Sequence, residues 1–276
     1  MLRFSRLLIL SLSLTGCMSL LYAPRIPMRK IYDPQQLNMN FENIEFDNAD
    51  GTRVSAWWFP AKKQPAKGTF VFFHGNGENM TTHFLALSWL PDAGYNYFIF
   101  DYPGYGVSPG VPSPDNVLSA GIAAIQWVHD NKDPSPLIVY GQSLGGNIAH
   151  RSVLDLKDKI SFRCLILDGT FLSYRGIARE KFSEHWFLWP LQPIAWLLMS
   201  DTYAPKEIDK RAPIPLLVVH GMKDKVVDPE FGDELFTKAP DPKLQWKIEN
   251  GHHGDNFFGA NEQNRQRLLD YLAGLN

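Results

Sequence analysis

The chain is poor in cysteine. Cys17 and Cys164, the two among 276 residues, cannot build a disulfide framework or a four-ligand zinc site. Runs of Lys or Arg are missing, and 27 basic against 29 acidic residues leave a formal net charge of −2. Nucleic acid is therefore not the expected partner, because phosphate binding needs a basic patch. No His-Glu-x-x-His or Cys-x-x-Cys string occurs, so the sequence proposes no metal. Internal repeats and low-complexity segments are also lacking. What the chain has in quantity is apolar residues, 45% against 20% charged, which excludes a disordered or collagen-like chain. The length suits one large α/β domain.

The N-terminus reads differently from the rest. Arg3 and Arg6 precede a compact apolar run from Leu7 to Leu14, and Leu14-Thr15-Gly16-Cys17 follows. A basic start, a short apolar core and small residues describe a secretory signal, and the run is too short to span a bilayer. The Leu-Thr-Gly-Cys string resembles the lipobox of bacterial lipoproteins. That resemblance implies cleavage before Cys17 and a diacylglycerol on its sulfur. Residues 1–16 are then a signal peptide and 17–39 a tether. The protein is expected in the bacterial cell envelope, lipid-anchored to a membrane and facing the periplasm. Met18, a residue other than Asp after the cysteine, favours the outer membrane. An ordinary signal peptide and an uncleaved anchor are the other readings.

From about residue 40 strand-like and helix-like stretches alternate. Asn43–Phe46 and Val54–Phe59 flank Asn48-Ala49-Asp50-Gly51, which predicts an antiparallel hairpin. Short apolar runs at Thr69–Phe73, Tyr97–Phe100, Leu137–Tyr140, Cys164–Leu167 and Leu216–Val219 suit parallel strands buried on both faces. Leu244–Ile248 alternates as a last strand. Helical stretches such as Ala120–Val128 and Leu144–Leu156 lie between, so residues 40–276 predict a doubly wound, mostly parallel α/β domain. Residues 169–212 break the rhythm. They carry Phe171, Phe182, Trp186, Phe187, Trp189 and Trp196, and read either as a helical cap over a site or as ordinary packing helices.

Gly141-Gln142-Ser143-Leu144-Gly145 lies between a predicted strand and a predicted helix. This is the context of a nucleophile elbow, a sharp turn that lifts a serine oxygen above the sheet edge. An acyl-transfer serine needs a base and an orienting carboxylate, which in this arrangement follow in the order acid, then histidine. Asp224 lies just beyond the strand ending in His220-Gly221, with Asp228 as competitor further along. Asn250-Gly251-His252-His253-Gly254-Asp255 supplies two candidate bases. An oxyanion needs backbone N–H donors. Leu144, after the nucleophile, supplies one, and Asn76 in His74-Gly75-Asn76-Gly77 is placed to supply the other.

These strings, with Asp101-Tyr102-Pro103-Gly104-Tyr105-Gly106, resemble the α/β hydrolases, in particular serine hydrolases related to the Bem46 proteins and to eukaryotic depalmitoylating hydrolase-domain proteins. The resemblance spans about residues 40–275. It implies the α/β-hydrolase fold, no cofactor, and a small ester or acyl substrate. The branch usually closes on Gly-His-Asn-Asp. Aligning its last Asp with Asp255 puts the base at His253, and aligning Gly-His directly puts it at His252. The expected triad is Ser143, Asp224 and His253. Carboxylic esters are the expected substrates, with a thioesterase, a peptidase or a catalytically silent binding protein as alternatives.

Overall fold

The computed structural model describes residues 22–24, 32–183, 190, 192–193, 199–204, 207–259 and 261–275. The lipobox string, Cys17 and the aromatic cluster Trp186, Phe187, Trp189 and Trp196 lie outside the described residues.

Eight strands form one sheet in the order β1-β2-β4-β3-β5-β6-β7-β8. β1 (Glu42–Asp47) and β2 (Arg53–Phe59) make the expected hairpin, with Ile44 opposite Ala56, and β2 runs antiparallel to β4 (Asn96–Phe100). The remaining pairs are parallel: β3 (Thr69–Phe73), β4, β5 (Leu137–Gln142), β6 (Phe162–Asp168), β7 (Leu216–Gly221) and β8 (Lys243–Ile248). β3, β4, β5 and β7 are buried at every position, which explains their unbroken apolar sequences. The edge strand β8 is buried only at Trp246, and Leu244, on the same face two residues earlier, is exposed.

The two-residue pleat divides the apolar residues between two cores. Val71, Phe73, Val139, Leu165, Leu167, Leu216 and Val218 face one. Phe70, Phe72, Ile138, Ile166, Leu217 and Val219 face the other. Each fully buried side chain of this size contributes roughly 1.5–3 kcal/mol. Helices α1 (Pro114–Asn131) and α2 (Leu144–Leu156) pack into the first core. A proline at the first turn and the Ser113–Asn116 capping box start α1. Helix α3 (Tyr174–Ser183) follows β6, α4 (Pro229–Lys238) follows β7, and α5 (Glu262–Gly274) buries Leu268 and Leu272 in the second core.

β3 lies between β4 and β5, so the chain reverses its direction of travel across the sheet there. Crevices at the carboxyl ends of strands around such a switch point are where open α/β sheets bind ligands. The loop after β3 and the turn after β5 therefore meet. One strand over from β6, the loops after β7 and β8 meet in the same way.

Candidate active site

Ser143 stands between β5 and α2 with φ 53° and ψ −123°. Among the described non-glycine residues only it and Asn38 have positive φ. Such a conformation costs about 1–3 kcal/mol and persists only where the surroundings impose it. Here the Ser143 N–H donates to the Asp168 carbonyl at 2.9 Å, and its own carbonyl accepts from the Thr170 hydroxyl at 2.7 Å and the Gly146 N–H at 2.9 Å. Gly141, Gly145 and Gly146 are required by close approach. A Cβ on Gly145 would sit 2.1 Å from the Phe73 carbonyl oxygen, and one on Gly141 would sit 2.6 Å from the Gly146 Cα.

Asp224 follows β7 in a tight turn whose N–H groups at Val226 and Val227 donate to its Oδ1 at 2.8 and 3.0 Å. Its Oδ2 accepts from His253 Nδ1 at 2.7 Å. Burial alone would raise this carboxyl. The nearby His220 and the hydrogen bonds from His253 and the Val227 N–H outweigh it and hold Asp224 well below the usual carboxylate range. The competitor Asp228 serves elsewhere, capping α4 by accepting from the Glu230 N–H at 2.9 Å.

The two adjacent histidines separate as their geometry requires. His253 turns inward to Asp224 and the pocket. His252 keeps a side chain 60% exposed, with its ring 3.3 Å from Asp255 and its N–H bonded to that same carboxylate at 2.7 Å. Asp255 thus closes the loop beneath His252 and takes no part in holding His253.

A pocket of about 590 Å³ brings Ser143, His253 and Asn76 together. The Asn76 side-chain oxygen is occupied, accepting from the Tyr105 hydroxyl at 2.6 Å and the Ala23 N–H at 2.9 Å. Asn76 lines the pocket from the loop after β3. Leu144 is the first residue of α2, where the helix leaves N–H groups without internal partners. The described residues of 169–212 do not line this pocket. Its far wall is the segment after β3, with Thr82, His83, Leu85 and Ala86, and its mouth carries Val226 and Phe258.

Sequence reasoning missed three contributors. His83 Nδ1 donates to Gln142 Oε1 at 2.9 Å, beside the nucleophile. Burial first, then the neighbouring His74, pushes the His83 pKa down to about 3, so its ring is neutral. Asp168, buried and raised above the usual carboxylate range by that burial, accepts from Tyr140 Oη and from Asn256 Nδ2. It ties the histidine loop to β6. His220 lies 3.5 Å from Asp224 Oδ2 while its Nε2–H donates to the Val227 carbonyl at 3.0 Å. No short motif announces His83 or Asp168, because their partners are distant in sequence; His220 stands in the string that marks Asp224, but that string does not show its ring beside the carboxylate.

Residues 64–203 match the family model described as serine aminopeptidase, S33. YfhR of Escherichia coli K12 is 35% identical over 259 residues, covering 91% of this chain and 86% of that protein. The bem46 protein of Schizosaccharomyces pombe is 27% identical, covering 91% and 82%. In fold, an esterase of Pyrococcus furiosus superposes with a TM-score of 0.70 at 21% identity, covering 91% of this chain and 96% of that one. The eight-stranded sheet, the elbow after β5 and these relationships make the chain a Bem46-like member of the hydrolase family that the matching model defines, built on the α/β-hydrolase fold.

Proposed function

We propose that the protein is a serine hydrolase that cleaves carboxylic esters through an acyl-enzyme intermediate. One observation carries this reading: Ser143, on its constrained elbow, shares a pocket with His253, whose Nδ1 is held 2.7 Å from an ionised Asp224. In the reaction Ser143 Oγ attacks the ester carbonyl carbon as its proton passes to His253 Nε2. Asp224 fixes the imidazole with Nδ1–H toward itself and stabilises the imidazolium that forms. The oxyanion turns toward the N–H groups of Asn76 and Leu144. The tetrahedral species collapses, the alcohol leaves with the proton from His253, and water repeats the sequence to release the acid.

Leu85, Ala86, Val226 and Phe258 give the pocket, which Glu78 also lines, an apolar surface that suits an acyl chain. The Leu14-Thr15-Gly16-Cys17 string supports a further element of the proposal, an acyl anchor on Cys17 that holds the enzyme at a membrane of the bacterial envelope. Fluorophosphonate labelling of wild type and Ser143→Ala, followed by a panel of esters, thioesters and aminoacyl amides, tests the activity. Labelling lost in the variant and fastest turnover of esters is the expected result. An unlabelled wild type would leave a silent hydrolase fold, and preferred cleavage of aminoacyl amides would make it a peptidase. Mass spectrometry of the native N-terminus tests the anchor.

A further inference from the structure

Residues 22–24 lie far from the domain in sequence, yet they are packed into it. Tyr22 is 3% exposed. Its hydroxyl is 3.1 Å from that of Tyr174, the first residue of α3, and it joins the core that holds Tyr102 and Tyr105. The next residue, Ala23, donates its N–H to the Asn76 side chain at 2.9 Å. The N-terminal segment is therefore fastened to the very loop that borders the pocket. Tyr22 stands five residues after Cys17. Five extended residues reach at most about 18 Å. Whatever holds Cys17 at a membrane consequently holds Tyr22 within about that distance of its surface, and the pocket loop bonded to Ala23 one residue further on.

The exposed apolar residues point the same way. Among the described residues eight large hydrophobic side chains are exposed, and five of them are Val107, Val111, Met222, Val226 and Phe258. All five stand on loops leaving the carboxyl ends of β4, β7 and β8, the end of the sheet that carries Ser143. Val226 and Phe258 also line the pocket. Met222 and Val226 are each followed or preceded by an exposed lysine, Lys223 and Lys225, which stand on either side of the buried Asp224. Exposed apolar side chains beside lysines are the composition that settles into an anionic headgroup layer.

We infer that the anchored protein lies with this face on a bilayer of anionic phospholipid, the Met222–Val226 loop and Phe258 in the headgroup layer and the pocket opening toward the leaflet. This rests on the reading of Cys17 as a membrane anchor. It adds that the tether is too short and too firmly docked to let the domain turn away, so acyl substrates reach Ser143 from the membrane side.

The test uses the full, lipid-modified chain in vesicles of phosphatidylethanolamine and phosphatidylglycerol. In a Cys164→Ser background, an environment-sensitive fluorophore is placed through Lys223→Cys, Phe258→Cys and, before β3 at the opposite end of the sheet, Lys63→Cys. Nitroxide-labelled lipid is the quencher. Quenching at 223 and 258 should exceed that at 63 about threefold or more, as expected for groups within the interface. Protein that floats with the vesicles but is quenched no more at 223 and 258 than at 63 overturns the orientation and leaves the anchor standing. Protein that does not float overturns both. Fluorophosphonate labelling of Ser143 in the same samples reports the hydrolase reading separately.

Discussion

The elbow and the pocket wall do different work and are held in different ways. The elbow, Gly141 to Gly146, is fixed mainly through its backbone: three hydrogen bonds to the Ser143 peptide groups, two with backbone partners and one with the Thr170 hydroxyl, and three glycines with no room for a methyl. The wall is fixed by side chains from distant stretches: Thr82 to Ala86 on one side, Val226 and Phe258 on the other, with Gln142 between them. Backbone geometry of the first kind demands particular residue types at particular spacings. Side-chain packing of the second kind accepts many solutions. The reaction class follows from the first region, and the choice of substrate from the second.

The largest expected effect tests which histidine the chemistry uses. His253→Ala should lower kcat by about 10³-fold or more, because residues of a triad act as a unit. His252→Ala should leave kcat within about threefold, since its ring faces solvent and Asp255. Steady-state kinetics on a p-nitrophenyl ester, with circular dichroism to confirm folding, decides the matter. Reversed losses would assign the base to His252.

Gly145→Ala attacks the elbow itself. The added methyl meets the Phe73 carbonyl oxygen at 2.1 Å and the His74 carbonyl oxygen at 2.4 Å, both backbone atoms that cannot swing aside. A loss of about 3 kcal/mol in urea unfolding is expected, at the upper end for overpacking. A variant as stable as wild type would show that the elbow yields more readily than its contacts imply.

An intermediate effect concerns pH. His150 of α2 is fully buried, and burial, then Arg151 and Arg211, push its pKa down to about 3. The unfolded chain takes up that proton near pH 6.5, so this group stabilises the fold above that pH and the contribution is lost as pH falls. At about pH 5 the loss amounts to about 2 kcal/mol. In His150→Phe the thermal midpoint should fall less between neutral and mildly acidic pH than in wild type. Parallel curves for the two proteins would refute a neutral, buried His150.

Most of the sheet was legible because its strands are short apolar runs bounded by Gly, Asp or His. Thr69–Phe73 and Leu144–Leu156 were read to the residue. Others, such as Cys164–Leu167, were shorter than the observed Phe162–Asp168, because Phe162 and Arg163 are only partly buried and do not continue the apolar signal. Within the site, Ser143 and Asp224 stand at strand ends and announce themselves by spacing. His252 and His253 could not be separated by sequence, since adjacent residues in a glycine-flanked loop are told apart only by the turn that aims them. The Asp168–Asn256 bond and the docking of Tyr22 on Tyr174 join residues 88 and 152 positions apart. A single sequence carries no local signal for either.

The smallest effect expected comes from the wall, and it sharpens the contrast with the elbow. His83 stacks on His74 with ring centroids 5.2 Å apart. Its Nδ1 carries the proton, because the amide oxygen of Gln142 can only accept. The amide nitrogen of Gln142 lies on the other side, so near Gly254 that a Cβ there would come within 2.0 Å of it. Gln142 thus braces the segment after β3 against the histidine loop, one residue before Ser143. In His83→Leu the brace loses its donor while an apolar wall remains. An increase in KM of about fivefold is expected, with kcat little changed, as for a lost contact that binds substrate and transition state alike. A neutral ring with a pKa of about 3 takes no part in proton transfer near neutral pH, so the pH profile of kcat should keep its shape. A variant whose kcat profile shifts with pH would make His83 a participant in the chemistry, and the wall would then carry part of the reaction as well as its selectivity.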